Sequence, residues 1–274
     1  MTRPGKKGMF SNPWRAWRHW RRQRFLRRYA IGHSLWAQIM RLPMFVGLDA
    51  VERARLRELA SVFVHDKVWH PKETLVLTDW HRALIAAQAC LPGLNLDEKR
   101  LQGWRDIILY PAPFWAEHEQ VDEAGVVTAE RAVLDGEAWL DGPLVLEWQT
   151  LEHEAQRRHP HRSVVIHEMA HKLDMGNGRA NGMPPLHPDQ SRPEWTETFS
   201  RAFENLQTRV EHGARHLSLD AYAATNPAEF FAVASEFFFC QPHALHQHEP
   251  AVYAQLSAFY RQDPRQRLPH PVSF

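Results

Sequence analysis

The 274-residue sequence predicts an α+β fold in which helices surround a small mixed sheet. Three observations predict it. Apolar residues recur at helical spacing in several stretches, short aliphatic runs lie next to proline- and glycine-containing turns, and the patterns after the last predicted strand are all helical. With 44% hydrophobic residues, among them 11 Trp and 14 Phe, the chain can bury one sizeable core, either whole or split into lobes around a cleft.

The elements follow in order from these local patterns. Helices are expected from Asp49 to Phe63 and from a cap at Thr78 or Asp79 through Ala89. Apolar runs bounded by turn-forming residues predict strands at 75–77, 107–110, 126–127 and 144–148. Three further helices are expected at 163–173, 194–210 and 227–240, and a loop rich in Gly, Asn and Pro at 176–188 separates the first two.

The most informative segment is His167-Glu168-Met169-Ala170-His171. Histidines four positions apart project from one face of a helix, so both imidazoles can reach a single metal ion. Glu168 lies beside that face, where it can contact a water molecule on the ion but is badly placed to be a ligand. This arrangement is the signature of zinc peptidases, in which the glutamate is the general base.

The flanks of the motif favour this functional interpretation. The chain holds 18 histidines, so a pair with this spacing also arises by chance. Ser163, however, is a suitable N-cap, and Gly176 and Gly178 can end the helix. Between them an apolar stripe at helical spacing faces the core: Ile166, Met169, Ala170 and Leu173.

A catalytic zinc ion needs a third protein ligand and one open position for water. Glu229 and Glu236 are the best candidates, because they share a face of the phenylalanine-rich segment 227–239, where buried carboxylates need a partner. Glu229 equally fits a capping box with Asn226 as N-cap, and capping and ligation compete for the same carboxylate. The residues alone leave this choice open.

Other polar residues downstream of the motif are candidate ligands too. Asp174 lies on the same helix face but about 10 Å further along the axis, so a supporting or helix-end role is expected. His187 follows a loop long enough to fold back, and stays open as a ligand. His243, His246 and His248 have polar neighbours and are expected on the solvated surface.

The charge distribution sets the N-terminal segment apart. Residues 1–48 contain eleven Lys or Arg and no acidic residue, whereas the rest holds 22 basic and 32 acidic residues. Within this basic arm Trp14, Trp17 and Trp20 recur every three positions. One interpretation is a helix that contacts nucleic acid or an anionic membrane, and the other is a solvated arm whose aromatic residues pack on the acidic body.

The compartment is expected to be the cytoplasm. Cys90 and Cys240 lack metal-type spacing and fit two reduced thiols in a core. No apolar run approaches the roughly 18 residues that a transmembrane helix needs. The basic N-terminus has no uninterrupted apolar segment behind it, so a secretory signal is not expected.

Beyond the five-residue motif, longer segments resemble the Mlc titration factor A family of bacterial cytosolic zinc peptidases of the gluzincin type. The resemblance covers about residues 40–260, and the segments 78–79, 86–90 and 136–139 look similar as well. The segments that carry it are HEMAHKLD at 167–174, NGMPPL at 181–186 and YAATNPAEFFA at 222–232.

The resemblance implies a zincin-like fold with a mainly helical C-terminal lobe and one zinc ion bound by His167, His171 and Glu229. It also implies that Glu168 is the general base and that Tyr222 faces the substrate. The family is associated with aminopeptidase-like activity and with binding of the glucose-responsive repressor Mlc. The basic arm matches nothing in this resemblance.

The sequence therefore predicts a zinc peptidase that hydrolyses a peptide or protein substrate through a metal-activated water molecule. The alternative is a regulatory protein that sequesters a repressor of the Mlc type, with the peptidase activity secondary. The expected organisation is an arm at 1–41, a catalytic domain at 42–265 and a tail at 266–274. Lobes at about 42–175 and 176–265 would flank the cleft.

Overall fold

The computed structural model describes residues 13–112, 120–121, 127–128, 142–157, 162–214 and 216–270. Side chains are described from Trp20 onward, except in the strands at 120–121 and 127–128. Val126 and the segment 136–139 lie outside the described residues. The helices are α1 (Pro13–Tyr29), α2 (His33–Ile39), α3 (Ala50–Asp66), α4 (Asp79–Cys90), α5 (Trp148–Gln156), α6 (Val164–Asp174), α7 (Arg192–Glu211), α8 (Pro227–Cys240), α9 (Pro242–His248) and α10 (Pro250–Tyr260).

The strands within the described residues form two separate sheets. β1 (Val68–Pro71), β2 (Asp106–Tyr110) and β5 (Leu144–Glu147) make a parallel sheet of order β1-β2-β5, with Val68 opposite Asp106 and Ile107 opposite Leu144. β3 (Gln120–Val121) and β4 (Val127–Thr128) make a short antiparallel pair. The fold is α+β as predicted, but the three-stranded sheet is parallel where a mixed sheet was predicted, and among the described residues the antiparallel pair is separate from it.

The strand predicted at 75–77 was also wrong. β1 at 68–71 pairs with β2 instead, and residues 75–77 belong to the connection between β1 and α4, without regular secondary structure. Leu75 and Leu77 pack against the core while Val76 between them is 78% exposed, so the alternation is present although the segment pairs with no strand among the described residues. β5 ends one residue before the predicted limit, because Trp148 starts α5 and the Glu147 side chain accepts a hydrogen bond from Thr150 N at 3.2 Å.

Local capping explains why the predicted helices begin where they do. Asp49 and Glu52 form a capping box at the start of α3, and the Thr78 hydroxyl accepts a hydrogen bond from His81 N at the start of α4. Ser163 caps α6 by accepting from Ile166 N at 3.3 Å. All five predicted helices are present, and most of their ends lie within one or two residues of the predicted positions. The helices α2, α5, α9 and α10 were not predicted.

The core lies between α6, α8 and the helices packed around them. α8 is buried on almost every side, and α6 packs along it. Aromatic rings from α7, α8 and α10 fill the space behind this pair. Trp195 stacks on Phe199 with ring centroids 4.2 Å apart, and Phe231 and Phe259 are fully buried beside them. This packing fixes the relative position of α6 and α8.

Part of the basic arm packs on the body of the protein. α1 lies on α3, where Arg22 forms ion pairs with Glu58 at 3.3 Å and with Glu98. After α1, Ile31 and the α2 residues Trp36 and Ile39 belong to the hydrophobic core. The side chains of Trp14 and Trp17 lie outside the described residues, and contact of the arm with nucleic acid or a membrane stays a prediction. The boundaries predicted for arm, lobes and tail stay predictions as well.

Two further features concern the cysteines and the apolar length of the helices. Cys90 and Cys240 are both free and buried, and burial raises the pKa of each thiol. Within the described residues, no helix is long and apolar enough to cross a membrane.

Candidate metal centre

Helix α6 carries the paired histidines toward α8. Val165, Ile166, Met169 and Ala170 are buried against the core, which turns His167 and His171 to the opposite, cleft-facing side. Their Nε2 atoms lie 3.2 Å apart. Two ring nitrogens at this distance without a shared cation or proton would repel each other, because each presents a lone pair.

Glu229 reaches the histidines from the first turn of α8. The Asn226 side chain caps this helix by accepting a hydrogen bond from Glu229 N at 3.0 Å. The Glu229 carboxylate instead points to the histidines, with Oε2 3.1 Å from His167 Nε2 and Oε1 3.3 Å from His171 Nε2. One half of the predicted capping box therefore forms, and the carboxylate is left for the site.

The three side chains fit a metal ion. One ligand atom from each lies within 4.8 Å of the others, and the side chains are largely buried. Ligand atoms about 2.0–2.1 Å from a tetrahedral zinc ion are separated by about 3.4 Å, close to the spacings of 3.1, 3.2 and 3.3 Å found here. Among the described residues no hydrogen bond reaches the buried Glu229 Oε2. Two imidazoles and a carboxylate with an unsatisfied oxygen are a donor set suited to a divalent cation.

Glu236 holds the first histidine from behind. Its Oε2 lies 3.2 Å from His167 Nδ1, and its Oε1 accepts a hydrogen bond from Ser163 N at 2.8 Å. Glu236 is 3% exposed. It therefore joins the N-terminus of α6 to the ring nitrogen that faces away from the cluster, which is the arrangement that orients metal-binding histidines.

The charges of the metal-free cluster are strongly coupled. Burial alone would lower the pKa of His167, but the carboxylates of Glu229 and Glu236 outweigh it and raise this pKa to about 10. Burial raises the pKa of Glu229, but His167 and His171 outweigh it and lower this pKa to about 2. The cluster thus stabilises a positive charge at its centre.

Glu168 and Tyr222 line the same cleft, a cavity of about 690 Å³. Burial raises the pKa of Glu168, and the two histidines partly oppose this shift. Tyr222 is half-buried in a short 3-10 turn, Ala221–Ala224, with its ring centroid 6.2 Å from that of His167. Asp220 fixes this turn by accepting a hydrogen bond from Tyr222 N at 3.0 Å.

The other candidates lie outside the cluster. Asp174 is fully buried and its Oδ2 accepts a hydrogen bond from Gly182 N at 2.7 Å, so that it holds the loop after α6. Burial raises the pKa of Asp174 to about 6, against the opposing effect of backbone N–H groups. His187 Nε2 lies 2.8 Å from Phe259 O, and His243 Nε2 lies 2.9 Å from Leu268 O.

Sequence reasoning missed several residues of the cleft. Glu154 on α5 accepts a hydrogen bond from Val164 N at 3.1 Å, which gives the N-terminus of α6 a second carboxylate. Thr150, Arg162 and Asn181 also line the cavity. Two of these carried a usable signal, because Arg162 directly precedes the cap of the motif helix and Asn181 begins a segment that carries the family resemblance.

The fold and the His-His-Glu cluster define a metallopeptidase-like protein in which side chains from two helices form a site that could hold a metal ion. Comparison with known proteins agrees. Residues 17–261 match the family described as glucose-regulated metallo-peptidase M90, and the chain belongs to that family. Proteins named Mlc titration factor A from Yersinia pestis (strain Pestoides F) and Yersinia pseudotuberculosis (serotype O:1b, strain IP 31758) are each 38% identical over 235 residues. The matches cover 85% of this chain and 86% of each relative.

Proposed function

We propose that this protein is a zinc-dependent peptidase of the gluzincin type, with His167, His171 and Glu229 as ligands of one zinc ion. The observation that carries the proposal is that two imidazole nitrogens from α6 and the Glu229 carboxylate from α8 meet at contact distances of 3.1–3.3 Å, in a cleft that Glu168 also lines. When bound, zinc lowers the pKa of a water molecule to about 7 and polarises a carbonyl group.

The protein's own residues move the protons. Glu168 accepts a proton from the attacking water molecule while the oxygen of that water bonds to the scissile carbonyl carbon. The Tyr222 hydroxyl donates a hydrogen bond to the oxyanion that develops on the former carbonyl oxygen. When the carbon–nitrogen bond breaks, Glu168 delivers the proton to the departing amine. The products are one carboxylate and one amine.

Strand β5 provides a place for the substrate backbone. Among the described residues it pairs with β2 on one side, and it lies against α6. An extended peptide can add to such an edge by main-chain hydrogen bonds. We propose an aminopeptidase-like activity because the family resemblance implies it. We propose a cytoplasmic location because the sequence predicts two reduced thiols and no secretory signal.

Two substitutions test the catalytic proposal. Glu168→Gln should retain zinc but lower kcat/KM for peptides by about 10²–10⁴, because the amide cannot accept the proton. Glu229→Ala should lower the zinc content of the purified protein. Metal analysis, together with cleavage of a peptide library with and without chelator, measures both effects. A fully active Glu168→Gln variant would remove the general-base assignment, and unchanged zinc stoichiometry in Glu229→Ala would remove the ligand assignment.

The names of the relatives favour a second candidate function. They are called titration factors of Mlc, so we infer that this chain also binds a transcriptional repressor of that type. Glu168→Gln separates the two functions. If repressor binding and sequestration from operator DNA persist in this variant, the regulatory role does not depend on hydrolysis. If both are lost although zinc is retained, sequestration depends on the catalytic glutamate.

A further inference from the structure

A second cavity adjoins the metal centre. The cleft that contains the histidines is lined by Glu154, Glu168, Glu229 and Glu236, and Arg162 is the cationic side chain of its described lining apart from the histidines. Arg162 also lines a neighbouring cavity of about 820 Å³, and it is the one residue that both linings share. A peptide that lies across the metal centre and extends past Arg162 would enter this second cavity.

The charge of the second cavity is opposite to that of the cleft. Its described lining contains Arg162, Arg209, His216 and His248, with Asp220 as the one carboxylate. Asp220 is already engaged, because its Oδ1 accepts a hydrogen bond from Tyr222 N. Arg209 donates a hydrogen bond to the backbone carbonyl of His216 rather than to a carboxylate.

The Arg162–Asp220 ion pair is open to exchange. Arg162 Nη1 lies 3.7 Å from Asp220 Oδ2, and the two side chains are 55% and 40% exposed. Exposed pairs at this distance contribute little to stability, whereas an arginine that meets a carboxylate in a two-point contact binds it more strongly. An incoming carboxylate can therefore take the place of Asp220 on Arg162.

Apolar side chains complete the lining. Leu217, Leu219 and Phe237 lie in the same cavity, and all three are at least partly buried. They offer surface for the methylene groups of a glutamate side chain or for a neighbouring apolar residue. The cavity is large enough for more than one residue of a peptide.

We infer that this cavity is a subsite for acidic residues of the peptide substrate, with Arg162 and Arg209 as the residues that determine the specificity. This inference rests on the proposed peptidase function. Arg162 forms an ion pair with Asp220, and Asp220 in turn holds the turn of Tyr222. The acidic residue of the substrate would therefore lie on the side of the cleft where Tyr222 lies.

The experiment compares fluorogenic peptide pairs that differ only by Glu or Gln, placed in turn at each of three positions on either side of the cleaved bond. The zinc-loaded protein should cleave the Glu peptide with a kcat/KM about tenfold higher at one position or more, as expected for a charge-assisted hydrogen bond. Arg162→Gln and Arg209→Gln should each bring the ratio of kcat/KM for the Glu peptide to that for the Gln peptide close to one. Arg201→Gln is the matched control, since Arg201 is exposed on the same helix as Arg209 and lines neither cavity.

Binding to Glu168→Gln provides a readout that does not depend on hydrolysis. Labelled Glu peptides should bind this variant more tightly than their Gln counterparts, and adding Arg162→Gln should remove the difference. Equal cleavage and equal binding of Glu and Gln peptides would overturn the subsite and leave the peptidase proposal intact. Preferential binding of Glu peptides without cleavage by the zinc-loaded wild type would support the subsite and overturn the peptidase proposal.

Discussion

Glu236 Oε2 lies 3.2 Å from His167 Nδ1, while the other oxygen of the same carboxylate accepts a hydrogen bond from Ser163 N. This carboxylate on α8 thus sets both the start of α6 and the ring orientation of a histidine one turn later. An imidazole that donates its Nδ1 proton to Glu236 keeps the lone pair of Nε2 for a metal ion. The relationship makes the centre depend on the packing of two helices.

Replacement of Glu236 by Gln should weaken zinc binding. The amide can turn its NH₂ group to His167 Nδ1, which favours the tautomer with a proton on Nε2 and blocks that atom as a ligand. The zinc dissociation constant should rise about 10–100-fold, measured by competition with a chromophoric chelator. The thermal midpoint of the metal-free protein should change much less, since Ser163 N keeps an acceptor. Glu197→Gln, an exposed change on α7, is the control. A dissociation constant within twofold of the wild type would contradict the positioning role.

Substitution of Gly182 by alanine should impair both the stability of the protein and zinc binding. Its φ is +76°, and an added Cβ would lie 2.4 Å from the backbone oxygen of Pro227 at the start of α8. Gly182→Ala should therefore destabilise the protein by more than the roughly 1 kcal/mol expected from conformation alone, and should weaken zinc binding by displacing the turn that carries Glu229. Gly178→Ala is the matched control, because its φ is +95° with open space around the Cβ. Denaturant unfolding and zinc titration measure the two effects. Equal behaviour of both variants would refute the steric argument.

Asp174 should make the stability of the metal-free protein depend on pH. Burial raises its pKa from 3.8 to about 6, so the folded protein binds this proton more tightly than the unfolded chain does. The resulting stabilisation is complete below pH 3.8 and is lost as the pH rises through 6. Asp174→Asn cannot ionise, so its free energy of unfolding relative to wild type should increase between pH 4 and pH 7, by up to about 3 kcal/mol. Urea unfolding in chelator measures this difference. Asp189→Asn, at an exposed carboxylate, should show no such change.

Two truncations should distinguish the contribution of α1 to folding from that of α2. Removal of residues 1–29 takes away the α1 contacts with α3, which are largely at the surface, and should leave a folded protein that binds zinc. Removal of residues 1–41 also takes away Ile31, Trp36 and Ile39 from the core, and large apolar losses of this kind cost roughly 2–5 kcal/mol each. This second variant should fail to fold. Circular dichroism and metal content check both outcomes, and a folded 1–41 deletion would show that α2 is dispensable. The full chain is then compared with the 1–29 deletion for binding to polyanions or anionic vesicles. Binding that is lost in this deletion would support the interpretation of the arm as a contact surface.

Sequence patterns predicted those parts of the fold that depend on neighbours along the chain. Thr78 and Ser163 act as N-caps where expected, and the apolar stripe around His167 forms the predicted amphipathic helix. Such features depend on residues within one or two turns. The strand prediction failed at 75–77, because three apolar residues cannot show which segment pairs with β2. Pairing is a long-range choice between segments that are locally similar.

The sequence by itself determined that two histidines share a helix face with a glutamate beside them, since four-residue spacing on a helix allows nothing else. It left Glu229 undecided between capping and ligation. Only the tertiary structure decided where this carboxylate points, by packing α8 against α6 so that the Asn226 side chain caps the helix and the carboxylate of Glu229 meets both imidazoles. The physical reason is distance along the chain. Glu229 lies 58 positions after His171 and 62 after His167. The three residues come together through burial of the phenylalanine-rich helix, which no local pattern encodes.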